Sequence, residues 1–276
     1  MASTRDPLGN AMRILRHIVE SPRSEFGVRE LAEVLGAHPS TVSRLLTTMR
    51  RHRLVGRSEV TGAYYPHPDL IRMGLLASRK HGVRAVARPQ LEALRDRFNE
   101  SAFIALYDPV EKQIFRVDSV ASSHPLRYVV ELDRWTDVYR GASGLGVLAF
   151  LPARERADIV ERADRAGERE DNPRLRKEYL APRLADIRAR GYAITHGHRI
   201  EGAVGISAPF VGPDGAIAGD VILTVPEVRF NPEDEPDYAD AVLGAAHAIT
   251  SGLAGVVVER PSSAPRADPS AADVHD

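Results

Sequence analysis

The spacing of apolar residues changes period along the chain. Near the start, Met12, Leu15, Ile18 and Val19 recur at helical intervals in NAMRILRHIVE, which predicts a helix laying that face on a small core. Val28, Leu31, Val34 and Leu35 in GVRELAEVLGA predict a second helix, stopped by Gly36 at a C-cap position. Val42, Leu45, Leu46 and Met49 follow i, i+3, i+4 and i+7 along a third. Pro39 suits its first turn, where a missing N–H costs nothing. LVGRSEVTGAYYPHP then reads as two short strands around a turn at Thr61-Gly62, with Arg57 on the first strand and Tyr64 and Tyr65 on the second. One of the two tyrosines is expected to pack on the helices. Three helices followed by a hairpin predict a winged helix-turn-helix over residues 8–68.

DLIRMGLLASR continues as a linker helix within residues 69–82, with Leu70, Met73, Leu76 and Ala77 on one face. Such a stripe needs a partner, and a second copy of the chain is the simplest. VRAVARPQLEALRDRFN follows as another helix, with Pro89 near its start or at a kink. The period then falls to two. SAFIALYD, KQIFRVDSV and LRYVVEL read as successive strands, and LGVLAFL as a buried helix followed by the polar helix RERADIVERADRA. YLAPRLADIRARG is a further helix, closed by Gly191. YAITHGHRI, AVGISAPFV and AIAGDVILTV read as three more strands, the last two joined by a turn at Pro213-Asp214-Gly215. DYADAVLGAAHAITSGLAGVV is a long closing helix. Residues 83–260 are thus expected to form an α+β domain of roughly six mostly antiparallel strands, with helices packed on one side. Residues 261–276, rich in Pro, Ser, Ala and Asp, are expected to be a disordered tail.

The polar positions of the third helix bring in chemistry. Ser40, Arg44, Thr47 and Arg51 oppose its apolar stripe, flanked by Thr41, Ser43, Thr48 and Arg50, and no carboxylate occurs from Pro39 to Arg57. Short hydroxyls and guanidinium groups can approach phosphates and base edges closely. Ser40, Ser43, Arg44 and Thr47 are the expected readers of bases or phosphates, with Thr41 and Arg29 beside them. Arg50, Arg51, Arg53 and Arg57 are the expected phosphate contacts. Alone, this face is also that of an ordinary surface helix. Charge distribution favours the nucleic-acid reading: residues 1–80 carry 13 Lys+Arg against 7 Asp+Glu, and the remainder 24 against 31.

Composition narrows the class. Hydrophobic content of 43% and charged content of 27% are ordinary for a globular protein, and there is no cysteine for a disulfide, thiolate metal site or nucleophile. No apolar run approaches the ~20 residues of a membrane span, and MASTRDPLGN is too polar for a signal peptide, so a cytoplasmic location without membrane contact is expected. His196-Gly-His198 has strand spacing that would put two imidazoles on one face, but spacing fixes no third metal ligand. GASGLG departs from the nucleophile-elbow pattern and lacks the strand setting of a dinucleotide fingerprint. Neither an enzyme, a cofactor nor a metal is expected.

Taken together, the two halves resemble the IclR family of bacterial transcriptional regulators over about Asn10–Val258. The resemblance rests on ELAEVLG and STVSRLLTTM, on Tyr64 with LIRMG, on ARPQLEAL, and in the second domain on GASGLGVLAFLP, RARGYAITHGHRIEGAVGISAPF and LTVPEVRF. It implies a winged helix that binds operator DNA and a GAF-like effector-binding domain, assembled as a homodimer or a dimer of dimers. It places the effector pocket between the loop before the buried small-residue helix and the sheet, with Gly141, Ala142 and Ser143 on one side and His198, Ser207 and Thr224 on the other. Backbone N–H groups at such a helix start can hold a carboxylate; the same small residues would equally serve close packing. Two positions depart from the family pattern: Gly146-Val147 replaces a common Gly-Lys, and His198 replaces a common glutamate. The function implied is a ligand-responsive regulator sensing an organic acid or aromatic metabolite. The alternative is a dimeric small-molecule sensor whose winged helix contacts protein.

Overall fold

The computed structural model describes residues 6–129, 132, 134–165 and 177–255. The chain forms two compact units, Met1–Lys80 and His81–Asp276.

The first unit contains α1 (Pro7–Glu20), α2 (Val28–Leu35), α3 (Pro39–Arg51), β1 (Val55–Arg57), β2 (Tyr64–Pro66) and α4 (Asp69–His81). Local chemistry sets the boundaries. The Asp6 carboxylate accepts from Gly9 N at 2.9 Å to cap α1. Gly36, at φ 67, ends α2 in the left-handed region, where a side chain would be strained. The core gathers Ile14, Ile18, Phe26, Leu31, Leu35, Val42, Leu46, Met49, Val55 and Tyr64. Phe26 also bridges Tyr64 through paired backbone hydrogen bonds of 2.8 and 2.9 Å, which fasten the wing to the helices. Tyr64 is the tyrosine that packs inward; Tyr65 is half-buried. The buried face of α1 differs from the expected one. Ile14 and Ile18 point inward, while Met12 and Val19 remain 44% and 55% exposed. A four-residue step keeps Ile14 and Ile18 on one line, and Met12 lies 200° round the helix from Ile14.

The second unit contains α5 (Val83–Phe98), β3 (Ser101–Asp108), β4 (Gln113–Val120), β5 (Trp135–Asp137), α6 (Gly141–Phe150), α7 (Ala153–Arg165), α8 (Lys177–Arg190), β6 (Ala193–His196), β7 (Ala203–Val211), β8 (Ile217–Pro226) and α9 (Glu235–Gly255). Its sheet has the order β5-β4-β3-β8-β7-β6, with every neighbouring pair antiparallel. The fold is α+β in both units. Helices cover both faces of this sheet, not one. Ala102, Ile104, Val204 and Leu223 face α5 and α9, while Phe103, Ala105, Ile114 and Ile222 face α6, α7 and α8. Long runs such as GDVILTVP, buried at every position, follow from that double cover.

The strand expected in LRYVVEL is also displaced. Leu126–Val129 is not in a strand, with Leu126 and Val129 exposed by 58% and 77%, and residues 130 and 131 lie outside the described set. The edge strand lies at Trp135–Asp137, pairing with Gln113–Phe115, and the Trp135 and Phe115 rings meet at 4.7 Å. Apolarity alone attracted the expectation; the edge position is fixed by backbone pairing and this ring contact. The expected tail, 261–276, lies outside the described residues.

One irregularity matters for the site. The β3–β4 register shifts between Ile104 and Ala105: Ala105 pairs with Arg116 and Ile104 with Asp118, leaving Val117 as the extra residue of a bulge. Arg116 keeps the α6 face of Ile114, whereas the bulge turns Asp118 to the α5 face, where it meets Arg84 and Arg88, each at 3.2 Å.

Candidate functional site

The first candidate surface is α3 with the wing. The α3 stripe Val42, Leu46 and Met49 is buried, so the opposite side faces solvent. Ser40, Ser43, Arg44, Thr47, Arg50 and Arg51 are exposed along α3; Thr41 is half-buried at its edge. Arg53 is exposed at the corner after α3, with φ 58, Arg57 is exposed on β1, and Arg29 is exposed on α2. Among the described residues, Arg44, Arg50 and Arg51 form no ion pair, so their charge is not internally neutralised. Arg57 is held by its Nε donating to Gly62 O at 3.0 Å and by the Tyr64 ring below it. Arg50, Arg57, Ser58, Tyr65 and His67 line an open cleft of about 520 Å³ between α3 and the wing.

The hydroxyls are less equivalent than the sequence implied. Thr47 Oγ1 donates to Ser43 O at 2.8 Å, so it can only accept from a ligand while that bond stands. Ser40 Oγ is 2.8 Å from Nδ1 of His38, which caps α3. His38, Tyr65 and His67 were not picked out by the periodicity, because capping and cleft lining leave no periodic signature.

The second candidate site is a cavity of about 50 Å³ on the α6 face of the sheet. It is lined by Gly141, Ala142 and Ser143 from the start of α6, by His198, and by Thr224 from β8. These predicted residues are brought together. Ser207 does not line the cavity: its hydroxyl donates to Asp220 Oδ2, and it lies 2.7 Å from where a Cβ on Gly146 would stand. Gly146 thus lets α6 press onto β7, which is the packing role of the small-residue helix. Ser143 does line the cavity, but its hydroxyl donates to Asp220 Oδ1 at 3.0 Å. Asp220 is fully buried, and desolvation raises its pKa to about 7 against the opposing pull of the two serines.

Gly141, at φ 72, takes the left-handed turn into α6, and its N–H donates to His198 Nδ1 at 3.2 Å. That bond makes Nδ1 an acceptor and ties the loop to the turn after β6. Arg140, the N-cap, makes no side-chain capping bond to the helix start, whose first-turn residues Ala142 and Ser143 line the cavity. The sequence also missed Phe103, Thr195, Gly205 and Ile222 in the lining, and the buried Arg116. Among the described residues, Arg116, Arg140 and Arg199 give the lining three arginines, with no carboxylate. Burial lowers the pKa of Arg199, and Arg140 pairs with Asp137 at 3.4 Å.

His196 and His198 do not share a strand face. Strand β6 ends at His196, and Gly197, at φ 59, turns the chain. His196 stands by Glu227 and the Phe230 ring, while His198 serves Gly141. Among the described residues no group of three His, Asp or Glu side chains could hold a metal.

Comparison with known proteins decides the family. The IclR helix-turn-helix domain matches residues 7–59, and the C-terminal domain of bacterial IclR transcriptional regulators matches residues 76–251. The chain belongs to the IclR family. Among its relatives is the HTH-type transcriptional regulator BhcR of Paracoccus denitrificans, 27% identical over 249 residues, covering 90% of this chain and 87% of BhcR. The transcriptional repressor IclR of Escherichia coli is 23% identical, with 90% of each chain covered. An IclR homologue from Microbacterium hydrocarbonoxydans, solved with 4-hydroxybenzoate, shares the fold with a TM-score of 0.73 at 19% identity, covering 90% of this chain and 98% of that one. This IclR-family chain is accordingly a transcriptional regulator with a DNA-binding helix-turn-helix domain and a C-terminal ligand-binding domain, and not an enzyme. Among the described residues no helix is long and apolar enough to cross a membrane.

Proposed function

We propose that this regulator is a ligand-responsive switch that reads a pseudo-palindromic operator as a dimer or dimer of dimers and senses an organic acid or aromatic metabolite. The observation that carries the DNA half is the outer face of α3, where exposed arginines stand with no carboxylate from Pro39 to Arg57, on a unit separate from the cavity. Two α3 helices placed in successive major grooves would read half-sites about 34–36 Å apart. Arg44, with Ser40, Ser43 and the acceptor face of Thr47, is the base reader; Arg50, Arg51, Arg53 and Arg57 contact phosphates, with Arg29 and Thr41 at the margin. The exposed Ile71, Met73, Leu75 and Leu76 of α4 support pairing with a second copy, because that helix buries none of its residues in the single chain. The cavity supports the effector half, as does the 4-hydroxybenzoate bound by the Microbacterium homologue. A useful switch needs a coupling of about 1–3 kcal/mol between the two sites.

The test is a gel-shift titration on the DNA upstream of the protein's own gene, at two salt concentrations, with wild type and Arg44→Ala. A salt-sensitive complex weakened by about 1–3 kcal/mol is expected. An Arg44→Ala protein that binds that DNA as wild type does would instead favour a winged helix that contacts protein.

A further inference from the structure

We infer that Arg116 is the specificity-determining residue of the C-terminal cavity and that it holds a carboxylate of the effector. The inference rests on reading that cavity as the effector site, and it adds the chemical group recognised and the residue that recognises it.

Arg116 is only 6% exposed, lines the cavity, and carries a buried Nη1 with no hydrogen-bond partner among the described residues. A buried guanidinium without an anion is costly, and native domains normally avoid it. This domain does so elsewhere. Buried Glu100 takes both Arg229 Nε and Nη2 at 2.7 Å, and buried Asp118 takes Arg84 and Arg88. Buried Asp220 accepts from two serine hydroxyls. Among the described residues Arg116 is the exception, and the bulge at Val117 is what turns Asp118 away from it. Its cross-strand neighbour, Ala105, adds no bulk and no charge.

The remaining lining fits one kind of group. The start of α6 presents first-turn N–H groups and the positive end of a helix dipole. Thr195 and Thr224 add hydroxyls, and Phe103 and Ile222 add apolar walls. Among the described residues the lining itself holds no carboxylate to repel an anion. A planar carboxylate can take the two-pronged hydrogen bonds that a guanidinium offers.

The experiment uses the full chain in anion-poor buffer, with thermal melting and titration calorimetry. The probes are monocarboxylic acids from acetate to benzoate, each beside its neutral amide. The proteins are wild type, Arg116→Gln, and Thr224→Met, which fills the cavity without changing its charge. Acids are expected to raise the wild-type melting temperature and amides to leave it unchanged. Arg116→Gln should weaken acid binding at least tenfold, and Thr224→Met should block it. Without ligand, Arg116→Gln should melt no lower than wild type, since it removes an uncompensated charge. A ligand-free Arg116→Gln that melts well below wild type would overturn the inference, as would a panel in which no acid binds. Binding blocked by Thr224→Met but indifferent to Arg116→Gln, or equal for acid and amide, overturns the carboxylate anchor and leaves the cavity as effector site. Binding that ignores both substitutions overturns the cavity reading itself.

Discussion

The arginines of the α3 surface and the arginine of the cavity are one residue type in opposite settings. Arg44, Arg50 and Arg51 keep their charge in water, where an unpaired guanidinium costs little and its field reaches outward over about a Debye length. Arg116 lies away from water, where the same unpaired group is costly and its field is short-ranged but strong. The outer set suits a long polyanion met in many registers. The inner one suits a single small anion at a fixed place. An exposed charge without a partner describes a surface; a buried one describes a point.

The sharpest way to separate the two regions is to destroy one. Leu46→Asp places an unpaired carboxylate in the winged-helix core, where Leu46 is fully buried. A loss of roughly 3 kcal/mol or more is expected, with operator binding abolished. Carboxylate-dependent stabilisation of the second unit should survive, read as a ligand-dependent upper transition in calorimetry. A single transition lost as a whole would show that the two units do not behave independently.

A smaller effect comes from Asp220, the acid buried behind the cavity wall. Its pKa is raised to about 7 in the folded chain against an ordinary 3.8. Below both values the group is protonated in both states. As pH rises through this window the unfolded chain loses its proton first, so stability falls until about pH 7 and then levels. One group sets a slope of at most about 1.4 kcal/mol per pH unit. Asp220→Asn should remove that slope, so its urea midpoint should gain on wild type from pH 5 to pH 7 and hold the gap above. A constant gap across that range would show that the carboxyl titrates normally. Operator affinity at fixed pH should be unchanged.

The smallest effect tests the outer arginines. Arg50→Ala should leave the melting temperature almost unchanged, a surface substitution within about 0.5 kcal/mol. It should lower the slope of log K against log salt by about 1. An unchanged slope would remove Arg50 from the phosphate contacts.

Periodicity made the first unit almost wholly legible. The turn at Gly36, the stripe Val42, Leu46 and Met49, and the wing around Thr61-Gly62 each follow from local signals. The buried face of α1 was not, because Met12 and Val19 are as apolar as Ile14 and only the neighbouring elements choose between them. In the second unit five of the six strands were legible but the edge strand at Trp135–Asp137 and the double cover were not, since alternation shows which residues share a face and not what lies over it. Gly141, Ala142, Ser143, His198 and Thr224 converge on the cavity, and the family resemblance had placed them near one another. Arg116 was hidden for a specific reason. In QIFRVDSV, plain alternation puts Ile114, Arg116 and Asp118 on one face, which reads as a self-paired Arg and Asp. The bulge at Val117 separates them, and a bulge has no dependable sequence mark.

The order of the sheet has a consequence for assembly. Its outermost strands, β5 and β6, are three and four residues long, while the inner β7 and β8 have nine and ten. The two rim strands themselves therefore offer few backbone donors and acceptors to an incoming strand. Strand addition, the route to fibres and to swapped edges, meets only these short rim strands at the outermost positions. The proposed pairing of copies through α4 would then rest on side chains, which mutation can tune without disturbing the scaffold.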